Sequence, residues 1–185
     1  LGSPLTEEVA RRWDAEAATF DAEPDHGLRD PETRGAWRSL LRETLAPAPG
    51  RIADLGCGTG VPIARTLAAS HRVIGVDISG GQLALARRQV PAARLVQADL
   101  AHCAFRPASF DAVVSNSTLD HFETRAEIRD ALAGLHRLLR PGGGLVLTLP
   151  TEADLRNPES GKYLRKYLHT TPDVDVEERM RVYNL

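Results

Sequence analysis

The sequence of 185 residues predicts an α/β fold built on a doubly wound, mostly parallel sheet with helices on both faces. Three observations predict it. Short apolar runs alternate with helical periodicity from residue 51 onward, as strands and crossover helices do in a parallel sheet. Two of these runs, Arg51–Leu55 and Arg72–Asp77, carry acids at their C-terminal ends, Asp54 and Asp77. Between them the segment Asp54-Leu55-Gly56-Cys57-Gly58-Thr59-Gly60 sets three glycines at alternate positions.

The elements follow in order. Val9, Trp13, Ala17 and Phe20 recur at helical spacing, which predicts an amphipathic helix from about Pro4 to Phe20. The polar stretch from Asp21 to Asp30, with Pro24 and Gly27, reads as a loop. Asp30-Pro31 is a good N-cap and first-turn pair, and Trp37, Leu40, Leu41 and Leu45 form the apolar face of a second helix. Ala46 to Gly50 is a Pro/Gly connector. Strands are expected at Arg51–Leu55, Arg72–Asp77, Arg94–Gln97, Phe110–Ser115 and Leu145–Leu149. Helices are expected at Val61–Ala69, Gly81–Gln89 and Thr124–Leu139, the last started by the capping box Thr124-Arg125-Ala126-Glu127. Right-handed crossovers put the loops after the strands on one edge of the sheet, so Asp54 to Gly60, Asp77, Asp99 and Asn116 to Phe122 converge on one crevice. The glycines are expected to let backbone amides approach a ligand there, in front of an electropositive helix N-terminus.

Composition narrows the function. A formal charge of −2 and a pI near 6.3 disfavour a large nucleic-acid partner. Lysine occurs only at Lys162 and Lys166, and the arginines are scattered along the helices. Cys57 and Cys103 are too few for a disulfide framework or a zinc site, which suits a reducing cytoplasm. No apolar run reaches membrane-spanning length, so no membrane partner is expected. There is no Gly-x-Ser-x-Gly, no metal-ligand set and no nucleophilic cysteine context, which argues against a hydrolase.

The acid-x-Gly-x-Gly-x-Gly spacing differs from the Gly-x-Gly-x-x-Gly of dinucleotide sites and resembles motif I of the class I (Rossmann-like) S-adenosylmethionine-dependent methyltransferases. The resemblance covers residues 50 to 150 and includes Asp77, Ala98-Asp99-Leu100, the strand Phe110 to Asn116, and Arg137-Leu138-Leu139-Arg140-Pro141-Gly142-Gly143-Gly144. The last signature is common among the family's small-molecule enzymes, and its segment Arg140 to Gly144 is expected to be a structural turn. The resemblance implies S-adenosyl-L-methionine as cofactor, a small-molecule acceptor, and transfer by in-line displacement. It places Asp54, Gly56, Cys57, Gly58, Gly60, Asp77, Ile78, Asp99, Leu100 and Asn116 at the cofactor. Asp77 is placed to bind the ribose, Ile78 and Leu100 to flank the adenine, Asp99 to meet the adenine amino group, and Asn116 to lie under the methionine moiety. Asp77 could instead only neighbour a helix cap, since Ser79 follows it, and Asp99 could be a solvated loop acid. As a strand-tip acid, Asp77 is expected to be open to solvent and to matter little for folding. His121, in Asp120-His121-Phe122, is the candidate general base, or else it packs under the following helix and only lines the pocket. Relatives place an N-terminal helix pair over the crevice, which would bring Trp13, Phe20 or Trp37 there.

The chain therefore reads as one domain, with a helical cap at 1–49, a cofactor-binding core at 50–150 and an incomplete C-terminal segment at 151–185. The family sheet has a further antiparallel strand pair after the fifth strand. Here only a charged segment follows, with Pro158, Pro172 and one plausible helix at Glu159 to Leu168, so those strands are expected to be missing. Strand five would then be an edge that either pairs with a second copy, giving a homodimer, or is covered by chain beyond Leu185. Two other functions compete: a non-catalytic or truncated cofactor-binding module, and a nicotinamide-dependent oxidoreductase. The glycine spacing disfavours the latter, and Tyr163-Leu164-Arg165-Lys166 is one residue too short for a dehydrogenase Tyr-x-x-x-Lys.

Overall fold

The computed structural model describes residues 4–22, 31–45, 49–122 and 124–149. The expected loop at 23–30 with its N-cap Asp30, most of the connector at 46–48, the helix at Glu159 to Leu168 and the whole of 151–185 lie outside the described residues.

Two helices open the chain, α1 (Pro4–Ala22) and α2 (Pro31–Thr44). Then come β1 (Arg51–Leu55), α3 (Ile63–Ala68), β2 (Arg72–Asp77), α4 (Gly80–Gln89), β3 (Arg94–Gln97), β4 (Phe110–Ser115), α5 (Arg125–Leu138) and β5 (Leu139–Leu147). Two single-turn 3₁₀ segments lie at Leu100–His102 and Leu119–His121. The strands form one parallel sheet in the order β3-β2-β1-β4-β5. Strand order reverses between β1 and β4, and in sheets of this kind ligands bind beyond the carboxyl ends at such a reversal.

Both faces of the sheet are covered, which is why its central strands read as continuous apolar runs. On one face Trp37 and Leu41 of α2 and Ile63 and Leu67 of α3 pack on Ile52, Val73, Val114 and Val146. On the other, Leu135 and Leu138 of α5 pack with Phe110 on Ala53, Ile74 and Val113. The capping box of α5 is present, with Thr124 and Glu127 each satisfying the other's backbone amide. Leu40 does not join the apolar face expected of α2. It is 43% exposed, while Trp37 and Leu41 point inward.

Two boundaries differ from the sequence reading for identifiable reasons. Helix α3 is six residues long and starts only after Pro62, which has no N–H to bond and serves as its N-cap residue without a side-chain cap. Strand β5 begins at Leu139, directly after α5, six residues before the expected start. Phe110 pairs with Leu139 and Ala112 with Gly144, so Arg140 to Gly143 bulge out opposite Asp111 alone. The segment expected as a turn is thus a bulge inside the strand. Gly142 supplies its positive φ of 78°, and Arg140 Nη1 donates to Asp111 Oδ1 at 2.5 Å across it.

Phe110 anchors this end of the sheet. It is fully buried, stacks edge-on against Phe105 at 5.3 Å between ring centroids, and lies 5.1 Å under the Arg51 guanidinium. Phe110→Ala is expected to lower stability by about 3–5 kcal/mol. Urea unfolding followed by circular dichroism would show this as a lower midpoint with an unchanged slope.

Candidate functional site

Past Asp54 the strands β1 and β4 part. The carbonyl of Leu55 has no ladder partner there and is taken by Ser115 Oγ at 2.9 Å and Thr118 Oγ1 at 3.2 Å. The glycine loop turns in this opening. Gly56 has φ +74°, and a Cβ on it would run into the Thr118 side chain, so no other residue fits.

The amides of Gly56, Cys57, Gly58 and Gly60 are not offered to a ligand as expected. Gly56 and Cys57 N–H both donate to the carbonyl of Val76, at 2.7 and 3.0 Å. Gly60 N–H donates to the carbonyl of Cys57 at 2.8 Å, and Gly58 N–H to Asp77 Oδ2 at 2.8 Å. The expected electropositive helix end is also otherwise engaged. Helix α3 is short, and its Ala64 amide donates to the carboxyl of Asp54. The chain's own acid stands where a phosphate would sit in a dinucleotide site.

Asp77 is buried rather than open to solvent. Its Oδ1 accepts from Ser79 N–H at 2.9 Å while Oδ2 accepts from Gly58. The carboxyl therefore pins the glycine loop to the start of α4, which adds a hold on the loop to the place beside the helix cap that the sequence allowed. Burial raises its pKa, and the amides of Ser79, Gly58 and Ile78 oppose that rise. Asp54 is also buried. Burial and the nearby Asp77 push it up to about 7, against the pull of the Ala64 amide. Its Oδ2 has no hydrogen-bond partner among the described residues.

Two further residues belong here that the sequence reading missed. Asp14 of α1 accepts from Ser79 Oγ at 2.6 Å and from Gly81 N–H at 2.8 Å, which fastens α1 across the start of α4. Gln82 is 2% exposed; its N–H donates to the Ser79 cap at 3.0 Å, and its buried Oε1 has no partner among the described residues. A polar Gln82 on the same helical face as the apolar Leu85 and Ala86 was the available signal. For Asp14 the signal was an acid beside the apolar stripe Trp13 and Ala17.

The remaining candidates are distributed around this centre. Ala98 N–H donates to the carbonyl of Asp77 at 3.0 Å, which sets the turn after β3 beside it. In that turn Asp99 Oδ2 pairs with His102 Nδ1 at 3.0 Å, and Leu100 packs against the core under α5. Ile78 is half-buried, its carbonyl taken by Gln97 Nε2 at 3.0 Å. The Cys57 thiol is buried over Gly75, and burial, then Asp54 and Asp77, push its pKa up, so it is no nucleophile. Asn116 Oδ1 accepts from Trp37 Nε1 at 3.2 Å and Thr148 Oγ1 at 3.0 Å. His121 is half-buried, with the Trp13 ring edge-on to it at 5.5 Å. Both N-terminal helices thus reach the segment after β4; the side chain of Phe20 lies outside the described residues.

A parallel sheet with this order, and a glycine loop and acids at its reversal point, defines a Rossmann-like ligand-binding domain. The sequence profile of the methyltransferase domain matches residues 53–147, over half of the chain, and the chain belongs to that family. A second profile, the C-terminal part of 4-hydroxyphenylacetate 3-hydroxylase, matches residues 125–185. Its first part falls on α5, which packs on the sheet described above, and on β5, which is one of its strands. A trans-aconitate 2-methyltransferase of Methylobacterium nodulans is 37% identical over 137 residues, 72% of this chain and 50% of that protein. The chain spans about half the length of the curated relatives it matches first. Among solved structures, the CcbJ methyltransferase of Streptomyces caelestis superposes with a TM-score of 0.68 at 24% identity, covering 80% of this chain and 61% of that one. The N-methyltransferase NodS of Bradyrhizobium japonicum, in complex with S-adenosyl-l-homocysteine, gives 0.67 at 20%, covering 87% and 84%. Among the described residues, no helix is long and apolar enough to cross a membrane, and no group of three His, Cys, Asp or Glu could hold a metal ion.

Asp54 gives the site a pH signature. Its carboxyl holds a proton more tightly in the fold, with a pKa of about 7, than at its ordinary 3.8. Its contribution is complete below 3.8 and is lost as pH rises to about 7. Asp54→Asn cannot titrate, so its stability should fall less steeply across that window, with Asp77 supplying the slope that remains. Urea unfolding at a series of pH values checks this; parallel curves for the two proteins would rule it out.

Proposed function

We propose that this chain forms the S-adenosylmethionine-binding part of a methyltransferase that transfers a methyl group to a small-molecule acceptor by in-line displacement. One observation carries the reading: around the crevice at the strand-order reversal stand the buried carboxyls of Asp54 and Asp77, with Asp14 behind them, while the amides of Gly56, Cys57, Gly58 and Gly60 are committed to internal acceptors. Such a crevice repels a pyrophosphate and suits a ligand that carries positive charge and a ribose. The residues fit it. Asp54 Oδ2 is a buried acceptor without a partner, and a Cβ on Gly58 would meet nothing closer than Gln82 Oε1 at 3.7 Å. The NodS complex and the methyltransferases among the relatives support the same choice. The family match favours an enzyme over a binding module without activity.

When bound, S-adenosylmethionine supplies a methyl carbon made electrophilic by the adjoining sulfonium. The chain's residues position and shield it. Asp77 has lone pairs left for ribose hydroxyls after serving Gly58 and Ser79. Ile78 and Leu100 flank the adenine, and Asp99 accepts from its amino group. Gly56, Cys57, Gly58 and Gly60 form the floor, and Asn116 stands under the methionine portion. His121 takes the proton of an acceptor whose attacking atom is protonated at neutral pH, with Trp13 excluding water beside it. We assign the protein to the cytoplasm on its two free, buried cysteines. One edge of β5 carries no strand among the described residues, and a second copy of the chain pairing there would make a homodimer.

Calorimetry tests the reading. S-adenosylhomocysteine should bind and NAD should not. Asp77→Ala should weaken binding by about 1.5–3 kcal/mol, the range for hydrogen bonds to a charged group. It should also lower the thermal midpoint, because Gly58 and Ser79 lose their acceptor. Folded protein that gives no heat with saturating S-adenosylhomocysteine, or that prefers NAD, would refute the proposal.

A further inference from the structure

We propose that the acidic segment at residues 173–178 adds as a further strand to the free edge of β3, held there by arginines at the N-terminal end of the sheet. Among the described residues β3 pairs with β2 alone. Ala98 N–H donates to the carbonyl of Asp77, whose register partner is Gln97, so Ala98 and Val96 turn their amides toward β2. By the alternation of a strand, the N–H and C=O groups of Leu95 and Gln97 then face outward, where no described strand meets them. Val96 is apolar and 36% exposed on the same strand. An edge of this kind takes an added strand through its main-chain groups, and the side chains decide which strand it takes.

Charge names the occupant. Arg94 is the register partner of Ile74, and Arg51 that of Arg72, so the three arginines stand on one face of the sheet, the face that carries α5. Arg51 and Arg72 are neighbouring like charges on adjacent strands, which costs stability unless an anion answers them. Asp111 is close by, but its oxygens already take Arg51 N–H at 2.7 Å and Arg140 Nη1 at 2.5 Å. Arg72 and Arg94 are exposed, and Arg94 has no ion pair among the described residues. The segment 173–178 reads Asp173-Val174-Asp175-Val176-Glu177-Glu178. As a strand it carries Asp173, Asp175 and Glu177 on one face and Val174 and Val176 on the other. Laid along β3, its acids meet Arg94 with Arg72 behind, and its valines share the face of Leu95, which lies across Gly75. An arginine on an edge strand ordinarily discourages added chain, whereas an acidic strand turns the same charge into an attraction. The sheet's other edge, β5, offers no such pairing, because its Arg140 is bonded to Asp111. The connection is long enough. Four strand spacings separate β5 from β3, about 19 Å, and residues 150–172 reach roughly 75 Å when extended.

The test is amide hydrogen exchange, read by NMR on the full chain without ligand. In the native protein, Leu95 and Gln97 N–H should exchange at least about tenfold more slowly than in the double variant Arg72→Glu/Arg94→Glu, and amides of the segment 173–178 should follow them. Val96 N–H, turned toward β2, should stay slow in both proteins, which shows that the sheet remains folded. Adding Asp173→Lys, Asp175→Lys and Glu177→Lys to the double variant reverses both partners and should restore slow exchange at Leu95 and Gln97. Fast exchange at these two amides in the native protein would overturn the proposal. So would slow exchange that survives the arginine reversal, or a loss that the lysines do not restore, since charge would then not be what seats the strand. Slow exchange that disappears on dilution would assign the edge to a second copy of the chain, and would overturn it as well.

Discussion

The site depends on one buried carboxylate. Asp77 receives Gly58 N–H on one oxygen and Ser79 N–H on the other, and so joins the glycine loop, the tip of β2 and the start of α4. Ser79 passes the connection on, capping α4 through Gln82 N–H and donating to Asp14 on α1. The glycine loop and the β2–α4 junction are thereby held by a single acidic group, and Ser79 adds α1 to them. Charge-assisted hydrogen bonds are worth about 1.5–3 kcal/mol each, enough to offset the burial of a carboxylate only when both oxygens are served.

The same network decides what the crevice can hold. A glycine loop before a helix ordinarily invites phosphate. Here the donors of Gly56, Cys57, Gly58 and Gly60 are turned inward and the first turn of α3 is answered by Asp54. Burial and then Asp77 disfavour the charged form of Asp54, and burial and then Asp14 that of Asp77, costs that a cationic ligand would relieve. The glycines therefore serve close approach and tight turning rather than anion binding. That is the physical meaning of a spacing that departs from the dinucleotide pattern.

The sheet was legible because burial on both faces writes each strand as an apolar run, and because glycines and acids mark strand ends. All five strands, the cap of α5 and the clustering of the strand-end loops follow from that. The start of β5 did not, since a Pro/Gly stretch that bulges out of a strand looks like one that ends it. Neither did the length of α3, where periodicity runs on through Pro62. Leu40 was misread because α2 buries a narrow stripe through Trp37 and Leu41. The candidate acids were legible as strand-end residues, whereas their burial was not, because it depends on how the loop folds back. Asp14 and Gln82 escaped notice because their partners lie across space, Ser79 and Gly81 for one and the glycine loop for the other.

The central claim is that Asp77 organises the loop before any ligand arrives. Amide hydrogen exchange by NMR on the ligand-free protein tests it most directly, comparing native with Asp77→Ala. The account predicts slow exchange at Gly58 and Ser79 in the native protein and fast exchange at both in the variant. The Cys57 and Gly60 amides, bonded to backbone carbonyls, should stay protected in each. Fast exchange at Gly58 and Ser79 in the native protein would contradict it, since the carboxylate would then not be holding the loop.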